Sequence, residues 1–211
     1  LWGIPFSVKD NIDVATLPTT AACPSFSYCP TRSANVVSLL EEAGAICLGK
    51  TNLDQFATGL NGTRSPYGPC SSAFNSEYIA GGSSSGSAVS VSLQHVSFSI
   101  GTDTGGSGRI PAALNNIVGL KPTCGTLSSN GLVPCCPSID CPSIFALSVS
   151  DASHIASIMH TTNVLDSTLR DQHECIEFSA INSSSVGSVF YPLGRDLEFF
   201  GNIEGQSISL D

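Results

Sequence analysis

Three glycine-rich segments carry the groups best suited to chemistry. They are Gly81-Gly82-Ser83-Ser84-Ser85-Gly86-Ser87, Gly101-Thr102-Asp103-Thr104-Gly105-Gly106-Ser107-Gly108-Arg109-Ile110-Pro111 and Gly119-Leu120-Lys121-Pro122-Thr123. Glycine at such turns lets backbone N–H groups approach a small acyl substrate. A serine at the end of the turn can then attack the carbonyl carbon while neighbouring amides hold the oxyanion. A serine alone is a weak nucleophile and needs a base. None of the three segments holds a histidine, so the candidate base is Lys9, at the end of the alternating run Ile4, Phe6, Val8. That run reads as a strand delivering Lys9-Asp10-Asn11 at its C-terminal end, where α/β proteins place their chemistry.

Two further motifs overlap this region or resemble it. Gly82-Ser83-Ser84-Ser85-Gly86 contains G-x-S-x-G, the turn that presents the nucleophile of α/β-hydrolases, and would make Ser84 the nucleophile. That turn requires a strand just before it, and residues 75–80 make a poor strand. Gly44-Ala45-Ile46-Cys47-Leu48-Gly49-Lys50-Thr51 fits the phosphate-loop pattern letter for letter. A phosphate loop is a flexible turn after a strand and before a helix, whereas residues 45–48 form an apolar run that follows a helix and reads as a buried strand. Nucleotide binding is rejected on that ground. Cys135, Cys136 and Cys141 lie close together, but no CxxC pair faces another and no histidine is near, so no metal is expected.

The elements that must position these groups alternate between helix and strand, which points to an α/β fold. Val36, Val37, Leu39, Leu40 and Ala43 recur at helical spacing and are closed by Gly44, ahead of the strand at 45–48. Residues 85–93 suit a helix opening at the Gly/Ser loop, and 96–100 a strand. Residues 151–160 read as a helix whose start is marked by Ser150 or Asp151. From about Thr161 the pattern is less regular, with Asn182-Ser183-Ser184-Ser185 as a loop.

With 211 residues, 41% of them hydrophobic, the chain can build one sizeable core and not two. The reading is one partial domain over 1–211, with a motif-bearing core at about 3–160 and a tail at 161–211, incomplete at both ends. Seventeen acidic residues against eight basic ones leave a formal charge of −9, which argues against nucleic acid or an anionic membrane as partner. No apolar run approaches the ~20 residues of a membrane-spanning helix. The first residues, Leu1-Trp2-Gly3-Ile4-Pro5, lack the basic and apolar regions of a secretion signal. The nine cysteines fall in no repeating frame and read as reduced thiols of a cytoplasmic protein. The Asn-x-Ser/Thr triplets at Asn61 and Asn182 are too short and common to argue for secretion.

Taken together, the glycine-rich segments and Val8-Lys9-Asp10 resemble the amidase signature family, from about Gly3 to Met159. The resemblance implies a mixed β-sheet core covered by helices on both faces. It also implies amide hydrolysis by two serines and a lysine without metal or organic cofactor. Residue by residue, the family's lysine falls on Lys9, its bridging serine, held by a cis peptide bond, on Ser83, and its nucleophile on Ser107. Backbone amides around Thr104, Gly105 and Gly106 are then the expected oxyanion hole, and Asp103 and Arg109 the groups that fix the nucleophile loop.

Within the family the resemblance is closest to the allophanate hydrolases, which act on urea-1-carboxylate. It is carried by Asp10-Asn11-Ile12-Asp13-Val14, by Pro18-Thr19-Thr20-Ala21-Ala22-Cys23-Pro24, by Lys50-Thr51-Asn52-Leu53-Asp54-Gln55-Phe56-Ala57-Thr58-Gly59-Leu60, by Ser83-Ser84-Ser85-Gly86, by Gly106-Ser107-Gly108-Arg109 and by Phe199-Phe200-Gly201-Asn202. Gly105, Cys70-Ser71-Ser72 and Cys135-Cys136-Pro137 depart from that subgroup's pattern. Its implied partners are allophanate, a fused or cooperating biotin-dependent urea carboxylase, and a second copy in a homodimer. The glutaminase component of a tRNA-dependent amidotransferase, with its ammonia channel and partner subunit, is the competing member of the family, and a catalytically silent fragment the competing class.

Overall fold

The computed structural model describes residues 1–161 and 166–170. Five strands form one sheet: β1 (Pro5–Lys9), β2 (Ile46–Thr51), β3 (Phe98–Thr102), β4 (Val118–Leu120) and β5 (Pro142–Ala146), in the order β2-β1-β3-β5-β4. β1 runs parallel to β2 and β3, whereas β5 is antiparallel to both β3 and β4, so the sheet is mixed. Four helices accompany it: α1 (Asn35–Glu42), α2 (Ser85–Ser92), α3 (Arg109–Leu114) and α4 (Val149–Met159).

Side chains alternate across a strand, and the two faces of this sheet have different chemistry. One face presents Phe6, Val8, Phe98, Ile100, Ile144 and Ala146. These pack with Val36, Val37 and Leu40 of α1 and with Ala152, Ile155, Ala156 and Met159 of α4 into the main core. Register pairs Phe6 with Phe98, and their rings stack with centroids 5.1 Å apart. Such offset aromatic pairs add to the burial of their area. The spacing 152, 155, 156, 159 is one face of a helix, which is why α4 can cover the sheet. The other face carries Ser7, Ser99 and Ser143, all buried. Ser7 Oγ donates to Ser99 Oγ at 2.9 Å and lies 3.0 Å from Ser90 Oγ of α2, so short polar side chains seat that helix close to the sheet. A smaller apolar cluster of Ala88, Val91, Val96, Ala112 and Phe145 closes this side.

Three sequence expectations are corrected. Residues 45–48 are not a buried strand, because β2 is an edge strand with Ile46 and Leu48 52% and 60% exposed. Helix α4 begins earlier than Ser150 or Asp151. Ser148 is its cap, its hydroxyl accepting the Asp151 N–H at 3.1 Å, and the acidic residue expected as the start sits in the first turn. The strand expected at 96–100 is displaced to 98–102 because Gln94, with φ +58, sits in the turn out of α2. The loop expected at 182–185 and the stretch 199–202 lie outside the described residues. Among the described residues no helix is long and apolar enough to cross a membrane, and every cysteine is a free thiol.

Candidate active site

Parallel pairing of β1 with β3 brings their C-terminal ends side by side. β1 ends at Lys9 and β3 at Thr102, followed by Asp103 and the turn 104–108 into α3. The segment 81–84 leads into the N-terminus of α2, which packs on the same strands. The Gly82–Ser83 peptide bond is cis. Lys9 is fully buried, as is Ser83, and Ser107 is 3% exposed. Lys9 Nζ lies 2.7 Å from Ser83 Oγ and 2.7 Å from Thr102 Oγ1. The turn bearing Ser107 and the Ser83 turn are joined through backbone: the Ser84 N–H donates to the Ser107 carbonyl at 3.2 Å.

A buried lysine is disfavoured in its charged form. Burial lowers Lys9 to about 7, against the opposing fields of Asp54 first, then Cys135, Asp103 and Asp140. Near neutral pH a substantial share of Lys9 is therefore the free amine, with a lone pair available to Ser83.

Asp103 organises the turn that carries Ser107. Its carboxylate accepts Arg109 Nε at 2.9 Å and Arg109 Nη2 at 3.0 Å, a two-pronged pair, together with the backbone N–H groups of Gly106 at 2.7 Å and Arg109 at 3.1 Å. Burial alone would raise its pKa. The hydrogen bonds from the Arg109 side chain and from the amides of Gly106, Arg109 and Gly108 outweigh that and bring it to about 2, so it is a carboxylate throughout the working range. Gly106 has φ +121, a conformation side chains rarely adopt, and this lets its N–H turn inward to Asp103. Of the three amides expected to form an oxyanion hole, Gly106 is thus committed to Asp103. Among the described residues the N–H groups of Thr104 and Gly105 meet no acceptor. The Thr104 hydroxyl donates to Asp140, which also accepts the N–H groups of Cys135 and Cys136 at 2.9 and 3.0 Å. The unusual cysteine pair is thereby tied to the turn that carries Ser107.

Ser84 has a different occupation from the one G-x-S-x-G implied. It is fully buried, it precedes α2, and its hydroxyl donates to the Thr102 carbonyl at 3.0 Å. No strand leads into it. The phosphate-loop pattern falls on β2 itself, with Lys50 at 3.0 Å from Asp10 in an ion pair. Among the described residues no group of three or more His, Cys, Asp or Glu side chains is placed to hold a metal ion.

The amidase family model matches residues 1–186. The chain belongs to the amidase family. This amidase chain is 62% identical over 159 residues to urea amidolyase of Saccharomyces cerevisiae, covering 75% of the chain and 9% of that protein. It is 44% identical over 169 residues to a glutamyl-tRNA(Gln) amidotransferase subunit of Lawsonia intracellularis, covering 80% of the chain and 35% of that protein. Among solved structures, allophanate hydrolase of Kluyveromyces lactis superposes with a TM-score of 0.79 at 58% identity, over 81% of this chain and 28% of that one. The amidase chain therefore spans about a tenth of its urea amidolyase relative and under a third of the solved hydrolase.

Two site residues escaped the sequence reading. Thr102 holds the second hydrogen bond of Lys9, and Asp54 leads the electrostatic influences that oppose its burial. Thr102 had a signal in its position at the end of a strand beside the Lys9 strand. Asp54 lies in the Lys50–Leu60 segment that carries the resemblance, but nothing in that segment assigned its side chain a role.

Proposed function

We propose that this chain is the catalytic part of a serine amidase acting on allophanate. The observation that carries the reading is the buried contact of Lys9 Nζ with Ser83 Oγ at 2.7 Å, on a lysine lowered to about 7 and next to the turn bearing Ser107. In the proposed sequence neutral Lys9 takes the Ser83 proton, Ser83 takes that of Ser107, and Ser107 Oγ attacks the carbonyl carbon. The resulting oxyanion is held by the N–H groups of Thr104 and Gly105. The C–N bond then breaks, with the relay proton delivered to the nitrogen, and ammonia leaves. Water attacks the acyl-enzyme by the same relay in reverse and regenerates the serine. None of these steps needs a metal or an organic cofactor.

Allophanate is favoured over glutamine because the urea amidolyase relative shares 62% identity against 44% for the amidotransferase relative. A small carboxylated amide as substrate fits an upstream partner that carboxylates urea, a biotin-dependent carboxylase fused to or cooperating with this amidase. A cytoplasmic setting and a homodimer complete the proposal, the first consistent with free thiols and an acidic composition.

The test is ammonia release by the intact protein from allophanate, glutamine and simple amides. Allophanate is expected to give a kcat/KM at least about a hundredfold above glutamine, the scale set when a site built for one polar substrate rejects another. Glutamine as the better substrate would transfer the reading to the amidotransferase branch.

A further inference from the structure

Asp54 is a fully buried carboxylate that the relay leaves unexplained. It follows β2 and stands against the Ser83 turn on several sides. Its backbone N–H donates to the Ser83 carbonyl at 3.1 Å. Its side chain accepts the N–H of Gly62 at 3.0 Å and of Arg64 at 2.7 Å, folding the loop 59–64 back over it. That loop in turn takes the Gly82 N–H on the Leu60 carbonyl at 2.8 Å. The space is closed to side chains: a Cβ at Gly59 would lie 2.6 Å from Asp54 Oδ2, and one at Gly82 would collide with the same oxygen.

All its side-chain donors are neutral backbone amides. Among the described residues it joins no ion pair, in contrast to Asp103, which is neutralised by Arg109, and Asp10, which is paired with Lys50. Four groups face Lys9 electrostatically: Asp54, Cys135, Asp103 and Asp140. Burial pushes the Cys135 thiol up, so it is neutral at working pH, and Asp140 spends its oxygens on the Thr104 hydroxyl and the amides of Cys135 and Cys136. Asp54 is the carboxylate left to answer a charge on Lys9.

We propose that Asp54 is a positioning residue of the relay, fixing the Ser83 turn through its backbone and loop contacts and supplying the counter-charge for the Lys9 ammonium that forms when the Ser107 proton moves inward. The logic is that of the buried aspartate in a Ser-His-Asp triad, which stabilises the cation formed on the base without itself taking the proton. Here no contact between acid and base is needed, because charges on two buried groups act on each other over a longer range than they would in water.

This inference rests on the lysine relay under Proposed function, and its test separates the two. In the intact protein, Asp54→Asn and Asp54→Ser remove the charge while keeping an oxygen near the loop amides. Each is expected to lower plateau kcat about tenfold or more with KM little changed. Each is also expected to move the acid limb of the kcat profile to lower pH, since the group that holds the Lys9 pKa up is gone. Melting curves show which of the variants is folded. A residue with a merely structural role would lower the rate and leave the acid limb where it is in wild type, and that result in a folded variant overturns the proposal. An active Lys9→Arg enzyme would instead remove the relay itself, and with it the reading on which this inference stands.

Discussion

Ser107→Ala is expected to remove amide hydrolysis by the intact protein, with a loss of about ten-thousand-fold or more in kcat, while the fold persists. The reason is that the covalent step has no other nucleophile at this position, and deleting one small hydroxyl leaves a void too small to destabilise the core seriously. Ser83→Ala is expected to fall short of that loss yet still cost orders of magnitude. The Lys9 amine would keep Thr102 as a partner at 2.7 Å but lose its contact with Ser83, the proposed bridge to Ser107. Ser84→Ala provides the contrast. Its hydroxyl satisfies the Thr102 carbonyl, so its removal is expected to cost about 1 to 2 kcal/mol of stability. Its effect on rate should be far smaller than that of Ser107→Ala. Steady-state rates and melting temperatures for the three variants decide the matter, and inactivation by Ser84→Ala alone would reinstate the hydrolase-turn assignment.

Lys9→Arg is expected to be as damaging as Lys9→Ala. An arginine stays protonated under any condition the protein survives, so it cannot accept the Ser83 proton, however well it fills the space. The same argument sets the pH dependence. The competent form is the free amine, and burial lowers Lys9 to about 7. The rate should therefore rise from acid pH and level off above neutrality, with a midpoint near 7, because protonation below that value removes the base. A wild-type kcat profile that stays flat from acid to alkaline pH, or measurable turnover in Lys9→Arg, would rule out the lysine relay.

Much of this arrangement was legible in the residues. Alternation at Ile4, Phe6 and Val8 marks β1, and a strand with such a pattern ends where a polar side chain must be accommodated, which singles out Lys9. The helical spacing of Val36, Val37 and Leu40 marks α1 for a comparable reason, because one apolar face has to be covered. Edge position was not legible: Ile46, Cys47 and Leu48 read as an interior strand because hydrophobicity reports burial only on average, and nothing local says that among the described residues β2 has a neighbour on one side only. Helix α3 was hidden by Pro111, which is tolerated because it lies in the first turn, where its missing N–H breaks no helical bond. β4 and β5 pair antiparallel across a long connection, and such pairing leaves little trace in a short local pattern.

The site divided in the same way. Residues 83 and 107 are singled out from the neighbouring serines by the family resemblance and not by the glycine-rich pattern, which serves Ser84 as well, whereas the commitment of the Gly106 amide to Asp103 follows from a backbone φ that no side-chain pattern reveals. Asp54 stands in a segment that carries the resemblance, but its contacts were not legible, because loop 59–64 and the Ser83 turn close around it over many residues of chain.

The central claim is that Ser107 is the nucleophile and that Lys9 activates it through Ser83. Its most direct test is to treat the intact protein with a fluorophosphonate, digest it and map the adduct by mass spectrometry, in wild type and in Lys9→Ala. A single adduct on Ser107, formed much more slowly when Lys9 is absent, is the predicted result. An adduct on Ser84, or labelling of Ser107 at an unchanged rate in Lys9→Ala, would contradict it.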